Sequence, residues 1–200
     1  MLKLIDNLKI GKFQKIVTYG TSLTAKGAWV ELLDLELKKR YPGLCEVINS
    51  GKSAMHSQWA VENLSEKVLK YKPDVLFIEF AVNDAFSEYA INLHVSYLNI
   101  KYIIERVAVD LPDCEFILMI MNPPAGIHLE QRPDYKEYYQ MYRDIAGELA
   151  LSLIDNQHSW DCVLSENKAL AEQLIPDGIH PSREGDIKVT FKNIVDTLDF

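Results

Sequence analysis

The sequence predicts an α/β protein, a flavodoxin-like three-layer α/β/α sandwich built on a five-stranded parallel sheet. Three observations lead there. Short β-rich apolar runs alternate with longer segments whose apolar residues recur at helical spacing. The third run, Asp74-Val75-Leu76-Phe77-Ile78-Glu79-Phe80, is almost continuously apolar, as suits a central parallel strand buried on both faces. No repeat, low-complexity tract or linker interrupts the 200 residues, so residues 1–200 read as a single domain.

The elements follow in order. Residues 15–19 (Lys-Ile-Val-Thr-Tyr) form the first strand. A helix over about residues 26–41 carries Trp29, Leu32, Leu33 and Leu37 at helical spacing and stops at Pro42-Gly43. Residues 46–49 are the second strand, and a helix from residue 57 to residue 71 is closed by Pro73. After the third strand, a long helix over residues 93–109 ends before Leu111-Pro112. Residues 116–121 are the fourth strand, and Asn122-Pro123-Pro124-Ala125-Gly126 opens a loop reaching Pro133. A tyrosine-rich helix over residues 135–150 leads to the fifth strand at residues 151–154. A short helix over residues 167–174 and a last one over residues 183–198 flank a loop at Asp177.

Composition narrows the function classes. The chain is 48% hydrophobic and 25% charged, an ordinary globular mixture. A net charge of −8 argues against a nucleic-acid partner, since phosphate binding needs basic clusters. The one basic run, Lys38-Lys39-Arg40, ends a helical pattern and there complements the helix dipole. Cys45, Cys114 and Cys162 are odd in number and widely spaced, and they fit no zinc pattern. They read as reduced, buried thiols, and neither a metal nor any other cofactor is expected. Residues 1–14 hold no long hydrophobic stretch, so neither a signal peptide nor a membrane span is expected, and the expected location is cytoplasmic.

Four segments carry the chemistry, each placed after a strand or in a loop before a helix. Ser22 lies in the turn after the first strand and needs a base to become a nucleophile. His180 is the candidate base, and Asp177, three residues earlier, can hold the other imidazole N–H. Pro176 and Pro181 bracket their loop. A tetrahedral intermediate needs donors, and the N–H of Ser22, the N–H of Gly51 and the side-chain amide of Asn83 are the candidates. Alone, each has a plainer reading: Ser22 a helix cap, Gly51 a strand-ending turn, Asn83-Asp84 a cap, Asp177 and His180 a surface turn. Their joint occurrence in this order favours a serine hydrolase.

With these residues in view, the sequence resembles the SGNH, or GDSL-like, hydrolase superfamily. Gly20-Thr21-Ser22-Leu23 stands in place of Gly-Asp-Ser-Leu. Gly51, within Asn49-Ser50-Gly51, matches the second-block glycine. Ala81-Val82-Asn83-Asp84 stands for Gly-x-Asn-Asp, and Asp177 to Pro181 matches Asp-x-x-His-Pro in full. The resemblance spans about residues 15–185. It implies an esterase of flavodoxin-like fold with a Ser22-His180-Asp177 triad, an oxyanion hole of Ser22, Gly51 and Asn83, and no metal. Two positions depart from it. Thr21 replaces an Asp taken to support the nucleophile turn, and Ala81 replaces a glycine, so the loop bearing Asn83 is expected to sit slightly differently.

Other residues are weighed around that reading. Glu79 interrupts the apolar third strand and, if buried, needs partners; backbone or Arg donors in a structural role are expected first, tuning of the site second. His56 and His128 fall in loops on the same edge and read as surface polar residues. Trp59, Phe86, Tyr89 and Trp160 read as core first and as pocket lining second. The segment from Asn122 to Arg132, with Trp160, offers polar and aromatic groups to hold a sugar. No long apolar stretch suggests an acyl-chain tunnel. The expected substrate is therefore a small-molecule ester with a short acyl group, acetyl foremost, on an O-acetylated saccharide. The rival readings are a lysophospholipase or thioesterase of the same superfamily, a non-catalytic relative, and a flavodoxin-like protein whose Thr18 to Thr24 segment cradles a phosphate or flavin.

Overall fold

Five parallel strands form the centre of the computed structural model, which describes residues 3–166 and 168–199. They are β1 (Gln14–Gly20), β2 (Cys45–Asn49), β3 (Val75–Glu79), β4 (Glu115–Ile120) and β5 (Ser152–Asp155), in the spatial order β2-β1-β3-β4-β5. The helices are α1 (Lys3–Lys9), α2 (Ser22–Ala25), α3 (Ala28–Arg40), α4 (Ser57–Lys67), α5 (Ala81–Asp84), α6 (Leu93–Asp110), α7 (Ile127–Glu130), α8 (Tyr135–Glu148), α9 (Gln157–Glu166), α10 (Lys168–Leu174), α11 (Arg183–Gly185) and α12 (Phe191–Leu198). The predicted start of the short helix, Asn167, lies outside the described residues, as do Met1 and Leu2.

The order of the strands decides where a ligand goes. The chain moves outward from β1 to β2 and then returns past β1 to β3. Right-handed crossovers therefore put α3 on one face and α4, α6 and α8 on the other. The reversal leaves a crevice beyond the carboxyl ends of β1 and β3, the place where such sheets bind ligands. β3 is buried along its whole length, which its continuous apolar sequence required. Trp29 packs on Phe77 of this strand, Tyr19 packs on Phe80 at its end, and the Tyr142 hydroxyl accepts the Phe80 N–H.

Three elements depart from expectation. The amino-terminal residues make α1, which buries Leu4, Ile5 and Leu8. Glu115, at the start of β4, accepts the first N–H groups of that helix at Lys3 (2.9 Å) and Leu4 (2.8 Å), a cap supplied from over a hundred residues away. The single helix expected over residues 183–198 is divided into α11, a π-helical turn at Asp186–Thr190, and α12. Asp186 is turned inward at this break, and its Oδ2 accepts the Ala28 (2.7 Å) and Trp29 (3.3 Å) N–H groups that open α3. α9 was absent from the sequence reading; with α10 and the π turn it encloses a second small core of Trp160, Leu174, Ile175 and Val189. Cys45 and Cys114 are buried as expected, but Cys162 is exposed, because the apolar face of α9 is carried by Trp160. Among the described residues, no helix is long and apolar enough to cross a membrane.

Candidate active site

The first strand delivers Ser22 to the crevice through a turn with no room for side chains. β1 ends at Gly20, which pairs in register with Glu79 at the end of β3. A Cβ on Gly20 would lie 2.3 Å from Thr24 Oγ1 and 2.7 Å from Glu79 Oε2. The chain enters α2 at once. Thr21, not Ser22, is the cap: its Oγ1 accepts the Leu23 N–H at 3.2 Å. Ser22 is the first residue of the helix, so its N–H is among the amides that a helix leaves without an internal partner.

Ser22 Oγ lies 2.8 Å from His180 Nε2, and His180 Nδ1 lies 2.6 Å from Asp177 Oδ2. The carboxylate can only accept, so Nδ1 carries the imidazole proton and Nε2 is free to accept from the serine hydroxyl. Asp177 Oδ1 accepts the N–H groups of His180 (2.7 Å) and Ile179 (3.0 Å). Partial burial pushes the Asp177 carboxyl up, but these amides and the imidazole outweigh it and hold it at about 2.

The loop bearing both residues is clamped from below. Gly178 takes a left-handed φ of 85°, and a Cβ there would meet Ala125 O at 2.8 Å. Its carbonyl accepts the Ala125 N–H at 2.7 Å, and buried Asn122 donates Nδ2 to Ile179 O at 2.9 Å. On the other side, the Ser182 N–H reaches Leu174 O at 2.7 Å. The stretch after β4 therefore holds the loop bearing Asp177 and His180, a contact that nothing along the sequence signals.

Asn83 sits buried in α5, with Nδ2 donating to Met55 O at 2.9 Å and Oδ1 3.5 Å from Arg132 Nη2. One hydrogen of the amide remains for another acceptor. Ala81 starts α5 with an ordinary negative φ, so the backbone there does not itself require a glycine. Asp84 is structural: fully buried, it accepts the Ser57 N–H at 2.7 Å, which opens α4, and the Ser96 hydroxyl. Burial pushes its carboxyl up to about 6.

Gly51 needs its missing side chain for close approach, since a Cβ would lie 2.5 Å from Ala25 N. Its N–H, however, donates to Asn49 Oδ1 at 3.0 Å, while Asn49 Nδ2 bonds Thr24 O at 3.0 Å. The freely available amide expected at Gly51 is thus engaged by a side chain two residues earlier.

Glu79 is 2% exposed. Its partners are hydroxyls and a backbone amide rather than an arginine. Oε2 accepts from Thr21 N (3.0 Å), Thr21 Oγ1 (2.9 Å) and Thr24 Oγ1 (2.9 Å). Burial pushes the carboxyl up to about 7 against the pull of these donors, and the negative charge of Asp84 adds to the rise. The same bonds take hydroxyls away from the phosphate-cradle reading: Thr18, Thr21 and Thr24 are all buried, and the Thr21 and Thr24 hydroxyls point at the Glu79 carboxyl.

The cleft at the serine has a volume of about 190 Å³ and is lined by Ser22, Leu23, Lys26, Gly27, His180 and Pro181. Trp160 does not reach it; it is fully buried, with Nε1 bonded to Thr190 Oγ1 at 3.2 Å. Asn122 and Arg132 are likewise buried and turned to protein atoms, Arg132 Nε to Val82 O at 2.9 Å with its guanidinium over the Phe86 ring. These three therefore cannot hold a sugar. Half-buried Phe86 meets Tyr89 edge to face, Tyr89 lies tilted against His56, and Trp59 packs on Tyr19. His128 is half-buried beside Arg132, where desolvation first and that cation second push its pKa down. Among the described residues, no group of three His, Cys, Asp or Glu side chains converges to hold a metal.

Comparison with known proteins follows the same outline. The model of the GDSL-like lipase/acylhydrolase family matches residues 17–186. No curated protein is significantly similar to the chain in sequence. Among solved structures, a catalytic mutant of Axe2, an acetylxylan esterase from Geobacillus stearothermophilus, superposes with a TM-score of 0.80 at 20% identity, covering 96% of this chain and 97% of that one. LAE5, an alpha/beta hydrolase enzyme from the metagenome of Lake Arreo, Spain, superposes with a TM-score of 0.79 at 21% identity, covering 94% and 96%. At such identities the likeness establishes the fold.

Proposed function

The chain belongs to the GDSL-like lipase/acylhydrolase family, and from that premise we propose that it is a serine esterase releasing a short acyl group, acetyl foremost, from a saccharide hydroxyl. Family membership makes it a hydrolase acting on esters. The observation that carries the serine mechanism is the continuous relay from Ser22 Oγ through His180 to ionised Asp177, at 2.8 and 2.6 Å. In the reaction, Ser22 Oγ attacks the acyl carbon while His180 Nε2 takes its proton. The imidazolium, stabilised by Asp177, then gives that proton to the departing alcohol oxygen. Water attacks the acyl-serine with His180 again as base, releasing the acid and restoring Ser22.

The oxyanion is held by the Ser22 N–H and the second amide hydrogen of Asn83. The Gly51 N–H joins them by sharing its bond to Asn49 with the oxyanion. Asn83→Ala should lower kcat by about 10²–10³ with little change in KM. A loss confined to KM would make Asn83 a substrate-binding residue instead.

The small cleft beside Ser22 supports a short acyl group, and the acetylated xylan named for Axe2 supports a saccharide on the alcohol side. Long acyl chains gain about 0.8 kcal/mol per buried CH₂ only where an apolar slot receives them. Across a nitrophenyl ester series, kcat/KM should fall once the acyl chain exceeds about four carbons, and acetate should be released from acetylated xylo-oligosaccharides. A preference for acyl chains of about eight carbons or more, or for thioesters, would move the chain to the lysophospholipase or thioesterase branch.

A further inference from the structure

We propose that Glu79 is a positioning residue for the nucleophile: from the end of β3, its carboxylate holds the Thr21–Thr24 turn and so keeps Ser22 Oγ on His180. The inference rests on the assignment of Ser22 as nucleophile. Ser22 itself makes one side-chain hydrogen bond, to His180 Nε2, which cannot by itself fix the backbone that presents it. The residues on either side of Ser22 are what fix that backbone. Thr21 N donates both to the Glu79 carbonyl (3.1 Å) and to Glu79 Oε2 (3.0 Å), so the Gly20–Thr21 peptide, one residue before Ser22, is tied to β3 twice. Thr24 Oγ1, one turn beyond the capping residue, donates to the same oxygen.

All three donors converge on one acceptor oxygen, Glu79 Oε2. Thr21 Oγ1 accepts the Leu23 N–H, which directs its own proton to Glu79. An amide at residue 79 keeps an acceptor for them only with its oxygen at the Oε2 position, and it can carry no negative charge for them to bind. Gly20 belongs to the same arrangement, because its missing Cβ makes the space in which Thr24 Oγ1 meets Glu79 Oε2. The carboxylate also compensates for Thr21. Where the family motif has an acid in the turn, this chain has a hydroxyl in the turn and an acid directly beneath it. A buried carboxylate pushed up to about 7 is a cost to the fold that an apolar side chain would avoid. Its presence at the tightest point behind Ser22 is accounted for by geometry delivered to the hydroxyl.

The test measures the second-order rate at which a fluorophosphonate labels Ser22, alongside kcat and KM on a nitrophenyl ester. Glu79→Gln and Thr24→Val should each slow labelling by about 10–100-fold, the worth of a hydrogen bond to a charged group, and lower kcat in step with KM unchanged. Thr24→Ser, which keeps the hydroxyl, should restore the rate to within about threefold of the parent. Should Glu79→Gln fail to fold, the Thr24 pair decides the question. Labelling of all variants at the parent rate, or a loss seen only in KM, would overturn the proposal, as would equal losses in Thr24→Ser and Thr24→Val. A parent protein labelled at Ser22 that hydrolyses no ester would count against the esterase reading while the labelling series still decided the role of Glu79.

Discussion

Ser22→Ala is expected to lower kcat by about a millionfold, to the residual rate that binding and oxyanion donors sustain without a nucleophile. The protein should stay folded. The hydroxyl touches only His180 Nε2, and the side chain fills no part of the core, so the change in stability should fall within about 0.5 kcal/mol. The measurement is a pair: steady-state hydrolysis of a nitrophenyl ester, and the midpoint of thermal unfolding. Mass spectrometry of the parent protein after organophosphate treatment should place the adduct on the peptide containing Ser22. An adduct on a different serine, or a variant that keeps a tenth of the activity, would remove Ser22 from the mechanism.

Much of this arrangement was legible in the sequence because it is local. Strand–turn–helix punctuation placed Ser22, Gly51 and Asn83 at one edge of the sheet, and the three-residue spacing of Asp177 and His180 let a single loop present both. The five strands also fell close to their observed positions, since continuous apolar runs such as Val75–Ile78 leave little choice of register or burial. What the sequence could not display were contacts between distant residues. Glu79 was conspicuous as a carboxylate in an apolar strand, but nothing along the chain named Thr21 and Thr24 as its partners. Trp160, read as core first and as pocket lining second, is core, whereas Arg132 looked available for a ligand because basic residues in predicted loops usually are. The first belongs to a second core whose helix, α9, has a weak apolar pattern, and the second is consumed by Val82 O and the Phe86 ring. Asn49 was read only as the end of a strand, yet its side chain takes the Gly51 amide. The break in the last helix was invisible for the same reason, since Asp186 is drawn to the start of α3 in space.

His180→Ala should cost as much as Ser22→Ala, about a millionfold in kcat, and the double variant should cost no more than either. The argument is that serine and imidazole act as one unit. Without the base the hydroxyl is a poor nucleophile, and without the hydroxyl the base has no proton to take. Independent contributors would multiply their losses, so a double variant much slower than either single one would reject the relay. Asp177→Asn should be milder, about 10⁴ in kcat, because the amide leaves the imidazole in place but favours the wrong tautomer. The pH dependence separates the two residues. Asp177, held at about 2 by the His180 and Ile179 amides, stays ionised at every pH where the protein would be assayed. Its folded value lies below the ordinary carboxylate range, so whatever it contributes is present at neutral pH and is lost only as pH falls toward that value. An acid limb in kcat/KM at higher pH then comes from protonation of the base or of Glu79, whose carboxyl lies at about 7, and the part that the base supplies should be absent from the residual activity of His180→Ala. An identical limb in that variant would show that another group controls the profile, and the hydroxyl–imidazole geometry at 2.8 Å would have to be read as structural.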